Sequence, residues 1–488
     1  MDSIQPREFL ILLPEMALAV AGMFLLLTGT LRSSNGHRLC AVFSLTAIAA
    51  TAALLVSLQG LPSAPQVILA GMFIVDGYSF FWKLVLLVAA ALAVILSDRF
   101  LSDGGYRPAE FYSLILLSTT GMLFMVSGYS LLSIWISLEL MALASYILAG
   151  FFKHERRSNE AALKYFVLGA LSSGVLVYGI SLLYGATGVV RLDLLAAALP
   201  GAMASEAGYR LVAVGWLLVA IGLFFKVAAA PFHVWTPDVY EGAPTPVTAF
   251  LATASKAASF AILVRIFYQA MPHLQPDWQW ITAGVAAASM IWGNLAALTQ
   301  TNVKRMLAYS SVAHAGYVLM GVLAGTEDGL WAVLFYLLAY TFMTAGTFGI
   351  VILLERKEYA GETYADYAGL AQRSPLLAAM MLVFMLALTG IPPTGGFFGK
   401  IYLFAAAVES GWLWVAVVGV VTSAISLFYY LGIAVQMYLK DSTDSSPSAL
   451  YAPGLIGTIA VCALVTVLLG LFPGPLVEFA KNSLTGLL

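Results

Sequence analysis

The chain has 488 residues, 61% hydrophobic and 10% charged, with a mean hydropathy of +0.92 and a formal net charge of −2. Soluble domains carry about 25% charged residues, so a soluble globular protein is excluded and a polytopic membrane protein is indicated. Neither the charge balance nor any basic run points to nucleic acid.

Apolar runs of about 20 residues mark transmembrane helices. Fourteen are predicted, near 9–31, 39–58, 73–96, 111–127, 129–152, 161–185, 211–235, 245–270, 279–299, 305–325, 329–354, 375–408 (broken), 411–439 and 454–472. The opening MDSIQPREFLILLPEMALAVAGMFLLLTGTLR lacks a basic n-region and a small-residue cleavage site, which fits a retained first helix rather than a signal peptide. No soluble domain interrupts the spans, and no long extension is expected after the last one.

Loops after odd-numbered spans hold Arg32, Arg38, Arg99, Arg107, Lys153, Arg156, Arg157, Lys304, Arg305, Arg356, Lys357, Arg373 and Lys440. The opposite loops hold Arg7, Lys83, Arg191, Arg210, Arg265 and Lys481. The positive-inside rule puts the richer set in the cytoplasm and both termini on the outer, periplasmic side of a bacterial inner membrane. Lys164, Lys226, Lys256 and Lys400 remain, all inside spans.

Redox centres are not expected in this chain. Its two cysteines, Cys40 and Cys462, cannot supply the four or so ligands of an iron–sulfur cluster. The five histidines are scattered, with no facing pair for a haem, and no Gly-rich nucleotide loop is visible.

A repeat is detectable. Ala144-Ser145-Tyr146-Ile147-Leu148-Ala149-Gly150 resembles Ala315-Gly316-Tyr317-Val318-Leu319-Met320-Gly321, and the same displacement carries Leu163 and Tyr165 onto Leu334 and Tyr336. A displacement of five helices inverts topology. The expected fold is therefore an all-α polytopic membrane protein with two inverted five-helix repeats, helices 4–8 and 9–13, each with one broken helix. The breaks are expected at Pro231 and at Ile391-Pro392-Pro393-Thr394-Gly395-Gly396, and paired broken helices are a transporter feature. The corresponding divisions are 1–110, 111–270, 271–440 and 441–488.

Ionisable groups inside a membrane are costly and mark function by default. Glu139, mid-helix in the fifth span, would stay protonated unless a cation stood near it, and Lys226 is the natural counter-charge. Such a pair could switch the proton affinity of the lysine or could be a static bridge. A buried lysine titrates well below its usual range of about 10.4, so Lys256 could carry protons, or could be a fixed charge in a wet crevice. Lys400 follows the second break and is the candidate exit site; it could instead satisfy carbonyls freed by the break. Lys164 lies near the end of the sixth span, where snorkelling competes with a relay role. His233 could feed protons inward, and His314, beside Ser310 and Ser311, could join the two halves; each could equally be a hydrogen-bonded structural histidine. Asp238 and Glu241 fit helix capping.

The segments PFHVWTPDVYEGAPTPVTAFLATASKAASF, TNVKRMLAYSSVAHAGYVLMG, YAGLAQRSPLLAAMMLVFMLALTGIPPTGGFFGK and EAALKYFVLGALSSG closely resemble the antiporter-like membrane subunits of proton-pumping NADH:quinone oxidoreductase, respiratory complex I, and within them the N type. The resemblance implies that Glu139, Lys226, Lys256 and Lys400 form the proton channel, with Lys164 as an additional lysine. Lys400 separates this chain from the M-type relative, which carries glutamate there, and the lateral C-terminal helix of the L type is not found. The resemblance further implies neighbouring antiporter-like subunits, with NAD, FMN, iron–sulfur clusters and quinone held by partner subunits. A subunit of a multi-subunit sodium/proton antiporter and a purely structural membrane scaffold are the competing readings; the four buried cations weigh against the scaffold.

Overall fold

The computed structural model describes residues 6–31, 36–60, 64–104, 108–355, 361–441 and 452–487. Of the basic residues used for orientation, Arg32, Arg107, Arg356 and Lys357 lie outside the described residues.

The long helices are α1 (Leu13–Leu31), α2 (His37–Leu58), α3 (Gly77–Gly104), α4 (Pro108–Val126), α5 (Leu131–Ala149), α6 (Arg156–Thr187), α7 (Glu206–Lys226), α8 (Thr245–Ala270), α9 (Gln275–Leu298), α10 (Val303–Leu323), α11 (Glu327–Leu354), α12 (Pro375–Thr389), α13 (Gly395–Glu409), α14 (Leu413–Leu439) and α15 (Pro453–Leu471). Among the described residues, twelve helices are long and apolar enough to cross a membrane. The first and twelfth predicted spans fall outside that set. The first is described as a shorter apolar helix, and the twelfth is divided into two 15-residue halves, α12 and α13. A small antiparallel hairpin, β1 (Gln66–Ile68) with β2 (Phe73–Val75), closes the α2–α3 connection.

Burial explains the layout. The apolar window of α8 is buried along its whole length and that of α10 almost so, whereas those of α2, α6, α14 and α15 are mostly exposed. A helix apolar on all sides belongs in a core, so α8 and α10 form the axis around which the others pack. Close approach relies on small residues. A Cβ on Gly121 of α4 would meet the backbone of Ser137 and Met141 on α5; one on Gly293 of α9 would meet the backbone of Tyr309 and Ala313 on α10. Each residue of the second trio lies 172 positions after its counterpart.

Both expected breaks are present. In the first, α7 stops at Lys226, and Ala228 adopts the left-handed region at φ 60°. Helix formation ends earlier than Pro231 because that proline has no N–H to donate to the Val227 carbonyl. In the second, Gly390 at φ 92° caps α12 and the Ile391 N–H returns to the Leu386 carbonyl, a Schellman closure. That closure leaves the Leu388 and Thr389 carbonyls without helical donors.

Two charges placed in loops by the sequence are in fact deep in the bundle. Lys83 is on α3, fully buried, and pairs with Glu15 of α1 at 2.5 Å while donating to Gln59 at 2.9 Å. Arg265 is on α8, fully buried, and makes a two-pronged ion pair with Asp76 at 2.8 and 3.0 Å. Both residues fall inside the predicted spans 73–96 and 245–270, so neither belongs to a loop count. The basic bias between the two faces is therefore larger than the sequence count implied.

Candidate functional site

The buried lysines stand where the backbone is irregular. Lys226 is the last residue of α7, so its ammonium lies at a helix C-terminus, where the aligned peptide dipoles favour positive charge. Its Nζ is buried and completes no hydrogen bond; the rings of Tyr146 and Phe225 lie 5.9 and 6.0 Å away. Lys256 follows a π-helical turn, Leu251–Ser255, within α8. Such turns interrupt the regular ladder and recur at functional sites. Its Nζ donates to the Ser311 carbonyl at 2.6 Å and to the Ser311 hydroxyl, and lies 5.9 Å from the Tyr340 ring.

Lys400, on α13, reaches back to the end of α12. It donates to the Leu388 carbonyl at 3.0 Å, the Thr389 carbonyl at 2.7 Å and the Ser423 hydroxyl at 2.8 Å, and stands 4.6 Å from the Tyr317 ring. The two carbonyls are those left over by the Schellman closure. Gly396 permits this approach, since a Cβ there would fall 1.9 Å from the Ala387 carbonyl oxygen.

One face of α10 joins these groups. Ser311, His314 and Tyr317 recur at three-residue spacing, which aligns them along a helix. Ser311 holds Lys256. His314, buried, shares hydrogen bonds with the Tyr336 hydroxyl through Nδ1 and the Tyr430 hydroxyl through Nε2, the latter at 3.0 Å. Tyr317 lies beneath Lys400. Between Lys256 and Lys400, His314 stands in the middle of this face, its ring 5.6 Å from that of Tyr317. On the other side, Tyr146 packs edge-to-face on Tyr165 at 4.7 Å, and the Tyr165 hydroxyl faces Ser255, next to Lys256. The aromatic under Lys226, Tyr146, and that under Lys400, Tyr317, are the two tyrosines aligned by the sequence repeat.

Glu139 and Lys226 do not touch. Glu139 accepts a short hydrogen bond from the Ser173 hydroxyl, which in turn accepts from Trp135 Nε1 at 3.0 Å. The carboxylate remains within electrostatic reach of Lys226. It is half-exposed on the outer flank of α5, between the exposed Ile136 and Leu143.

Lys164 is not brought into this line. It bridges Glu160 at 2.8 Å and Asp238 at 2.6 Å, and Asp238 also accepts from Arg305 at 2.8 Å, with Glu241 joining at 2.9 Å. Burial alone would raise the Asp238 carboxyl, but hydrogen bonds from Lys164 and Arg305 outweigh it and hold the group below the ordinary aspartate range. Asp238 and Glu241 are therefore members of an ion-pair network rather than simple caps. His233 is buried beside Trp292 and Tyr309, and its Nδ1 completes no hydrogen bond.

Sequence reading missed three buried ionic groups: Glu15–Lys83, Asp76–Arg265 and Lys304–Glu362, the last at 3.4 Å. A signal existed for the second, since Arg265 in SFAILVRIFYQA interrupts an apolar run. Among the described residues no cluster of His, Cys, Asp and Glu has the makings of a metal site.

Residues 128–426 match the family described as NADH:quinone oxidoreductase/Mrp antiporter, TM. The chain is 41% identical over 473 residues to NADH-quinone oxidoreductase subunit N of Trichlorobacter lovleyi, covering 97% of this chain and 96% of the relative. It is 42% identical over 482 residues to subunit N of Parvibaculum lavamentivorans, covering 99% and 98%. Among solved structures, a chain of respiratory complex I from Thermus thermophilus with bound aureothin is similar at 35% identity and TM-score 0.80, covering 95% of this chain and 98% of that one. A chain of the Mrp complex from Dietzia sp. DQ12-45-1b shares the fold at TM-score 0.83 and 24% identity, with 98% and 97% covered.

Proposed function

This chain belongs to the NADH-quinone oxidoreductase subunit N family within the NADH:quinone oxidoreductase/Mrp antiporter group, and from that premise we propose that it is a membrane subunit that translocates protons while partner subunits reduce quinone. The observation that carries this reading is the α10 face, where Ser311 holds Lys256, Tyr317 lies against Lys400 and His314 stands between them. A static scaffold has no use for two uncompensated ammonium groups with proton-capable side chains between them.

In this reading Lys226, Lys256 and Lys400 are the proton carriers and Glu139 is the switch. Quinone reduction elsewhere changes the field or conformation at Glu139. Movement of its carboxylate toward the bare Lys226 ammonium would stabilise the protonated lysine; withdrawal would release the proton toward Lys256, by way of Tyr146 and Tyr165. Coulomb repulsion between neighbouring ammoniums couples the steps. His314 relays between Lys256 and Lys400, and Lys400 discharges to the outside. Lys164 acts through its ion-pair network, and His233 lies on the inward side of the first break.

The chain itself carries no redox centre; NAD, FMN, iron–sulfur clusters and quinone belong to partner subunits. Two inverted five-helix units, 111–270 and 271–440, are supported by the Gly121 and Gly293 contacts and by the paired tyrosines under Lys226 and Lys400. The face bearing Lys153, Arg156 and Lys304 is cytoplasmic, and both termini are outside.

The test is the Lys226→Ala variant in the assembled complex. It should reduce quinone but pump poorly in inverted membrane vesicles; full pumping would sink the reading. Purification of the native complex separates it from a sodium/proton antiporter, since flavin and iron–sulfur partners are expected in one case and redox-free, sodium-dependent exchange in the other.

A further inference from the structure

At the end of the bundle where α8 and α10 begin and α11 ends, a second set of buried charges surrounds the root of the helix that carries Lys256. Lys304 is buried and donates to the Ala243 carbonyl at 3.0 Å and to Glu362 at 3.4 Å. Glu362, also buried, accepts further hydrogen bonds from Asn302 at 3.0 Å and Arg157 at 3.3 Å. These groups satisfy one another. Glu355, one residue past α11, does not share in that satisfaction: it is half-buried, and among the described residues its Oε2 has no partner. Beside it stands the fully buried hydroxyl of Thr245, the first residue of α8, which faces the Glu355 carboxyl as a hydrogen-bonding neighbour. Even with that neighbour, Oε2 completes no well-formed hydrogen bond among the described residues, which costs stability at a low-dielectric site.

Glu355 lies on a face of α11 that also carries Thr344 and Tyr340, since displacements of four and fifteen residues return to nearly the same side of a helix. The Thr344 hydroxyl is buried and faces the Tyr340 hydroxyl. Tyr340 closes the line, with its ring 5.9 Å from Lys256 Nζ. From Thr245 to Lys256 the chain climbs roughly 16 Å of helix, so a carboxyl at Glu355 sits one half-membrane below the lysine. Burial raises the Glu355 carboxyl above the ordinary glutamate range, against the pull of the Lys304 ammonium.

We propose that Glu355 is the proton-loading group for Lys256: its carboxylate takes a proton from the aqueous phase on the α8-root side and releases it inward along the Thr245–Thr344–Tyr340 line. One O–H bond forms at the carboxylate on uptake and breaks on release, the proton ending on the Lys256 amine, so the carboxylate is regenerated each cycle. Glu362 is the fixed counter-charge that keeps Lys304 from neutralising Glu355 outright. His233 is then not needed for loading.

Because this role presupposes the proton path through Lys256 proposed above, the test includes that lysine. In inverted vesicles containing the complete complex, Glu355→Gln should lower the initial rate of coupled proton uptake at least fivefold, and Glu355→Asp should restore most of it. Thr245→Val, which keeps every charge, should lower it severalfold. Lys256→Ala in the same vesicles should abolish uptake through this subunit. If Lys256→Ala pumps normally, the underlying proton-path reading fails. If Lys256→Ala is defective while Glu355→Gln pumps at the parental rate, the loading role of Glu355 is overturned. Should Glu355→Gln not assemble, Thr245→Val decides, an unchanged uptake rate overturning the assignment.

Discussion

Lys400 donates to the Thr389 carbonyl at 2.7 Å, across the gap between two halves of a broken helix. The lysine therefore has two jobs in one geometry. It occupies carbonyls that the helix break would strand, and in the proposed path it also gains and loses a proton. The two jobs predict different substitutions.

Lys400→Ala leaves the Leu388 carbonyl unpaired and the Thr389 carbonyl with only the Ser423 hydroxyl at 3.1 Å, at about 1–3 kcal/mol for a buried unsatisfied group, and should lower both the thermal midpoint of the complex and its pumping. Lys400→Arg keeps a donor-rich cation but one that does not deprotonate in proteins. It should recover much of the thermal midpoint and little of the pumping. Parental pumping by Lys400→Arg would show that no proton leaves this position.

The Asp76–Arg265 pair ties α3 to the helix carrying Lys256, and both side chains are fully buried. Removing one partner of such a pair typically costs about 3–5 kcal/mol, because the other charge is stranded. Asp76→Ala should therefore fail to assemble or melt early, whereas the double variant Asp76→Leu with Arg265→Met should be markedly more stable than the single one. A thermal melt of the purified complex measures the difference; equal destabilisation of single and double variants would mean that the charges are not energetically coupled.

Gly169 of α6 makes room for Tyr146: a Cβ there would lie 2.1 Å from the tyrosine oxygen. Gly169→Ala should push the ring from beneath Lys226 and slow coupled pumping severalfold with little loss of assembled complex. Tyr146→Phe, which keeps the ring and deletes the hydroxyl, distinguishes packing from proton relay. If both variants pump as the parent does, the Tyr146 connection plays no part.

The Lys164–Asp238–Arg305 network sets a pH window. The Asp238 carboxyl is held below its unfolded value of about 3.9, so its contribution to stability is fully present above that value and is lost as pH falls through the lower folded one. The gap in thermal midpoint between parent and Asp238→Asn should hold constant from about pH 8 to pH 6 and narrow only below about pH 4. A gap that narrows near neutrality would point to a different titrating group. Since Lys164 and Asp238 are partly exposed, the gap should also shrink with salt.

The long apolar runs, the two breaks and the inner placement of Lys226, Lys256 and Lys400 were legible in the sequence, because hydropathy and proline chemistry act locally. The partners were not. Ser173, rather than Lys226, receives Glu139, and Lys164 meets Asp238 from a different part of the chain. Such contacts depend on how helices rotate against one another, and in a chain apolar on nearly all faces no amphipathic stripe reports that rotation. Lys83 and Arg265, although inside predicted spans, were counted as loop charges, because their buried partners Glu15 and Asp76 lie far away in sequence and nothing local reports them. The fully buried state of α8 could be inferred only once its neighbours were known.

The π-helical turn at Leu251–Ser255 has a consequence for tolerance to insertion and deletion. A wider turn accommodates one residue more than a regular α-helix, so removing a single residue there would restore a regular ladder without shortening the span noticeably. Side chains on either side would then keep nearly their present phase, because the wide turn already absorbs the extra residue. A deletion in the regular part of the same helix would instead rotate everything beyond it by about 100°, pulling Lys256 off Ser311 or Arg265 off Asp76. The turn is therefore the one place ahead of Lys256 in this helix where losing a residue spares both holds.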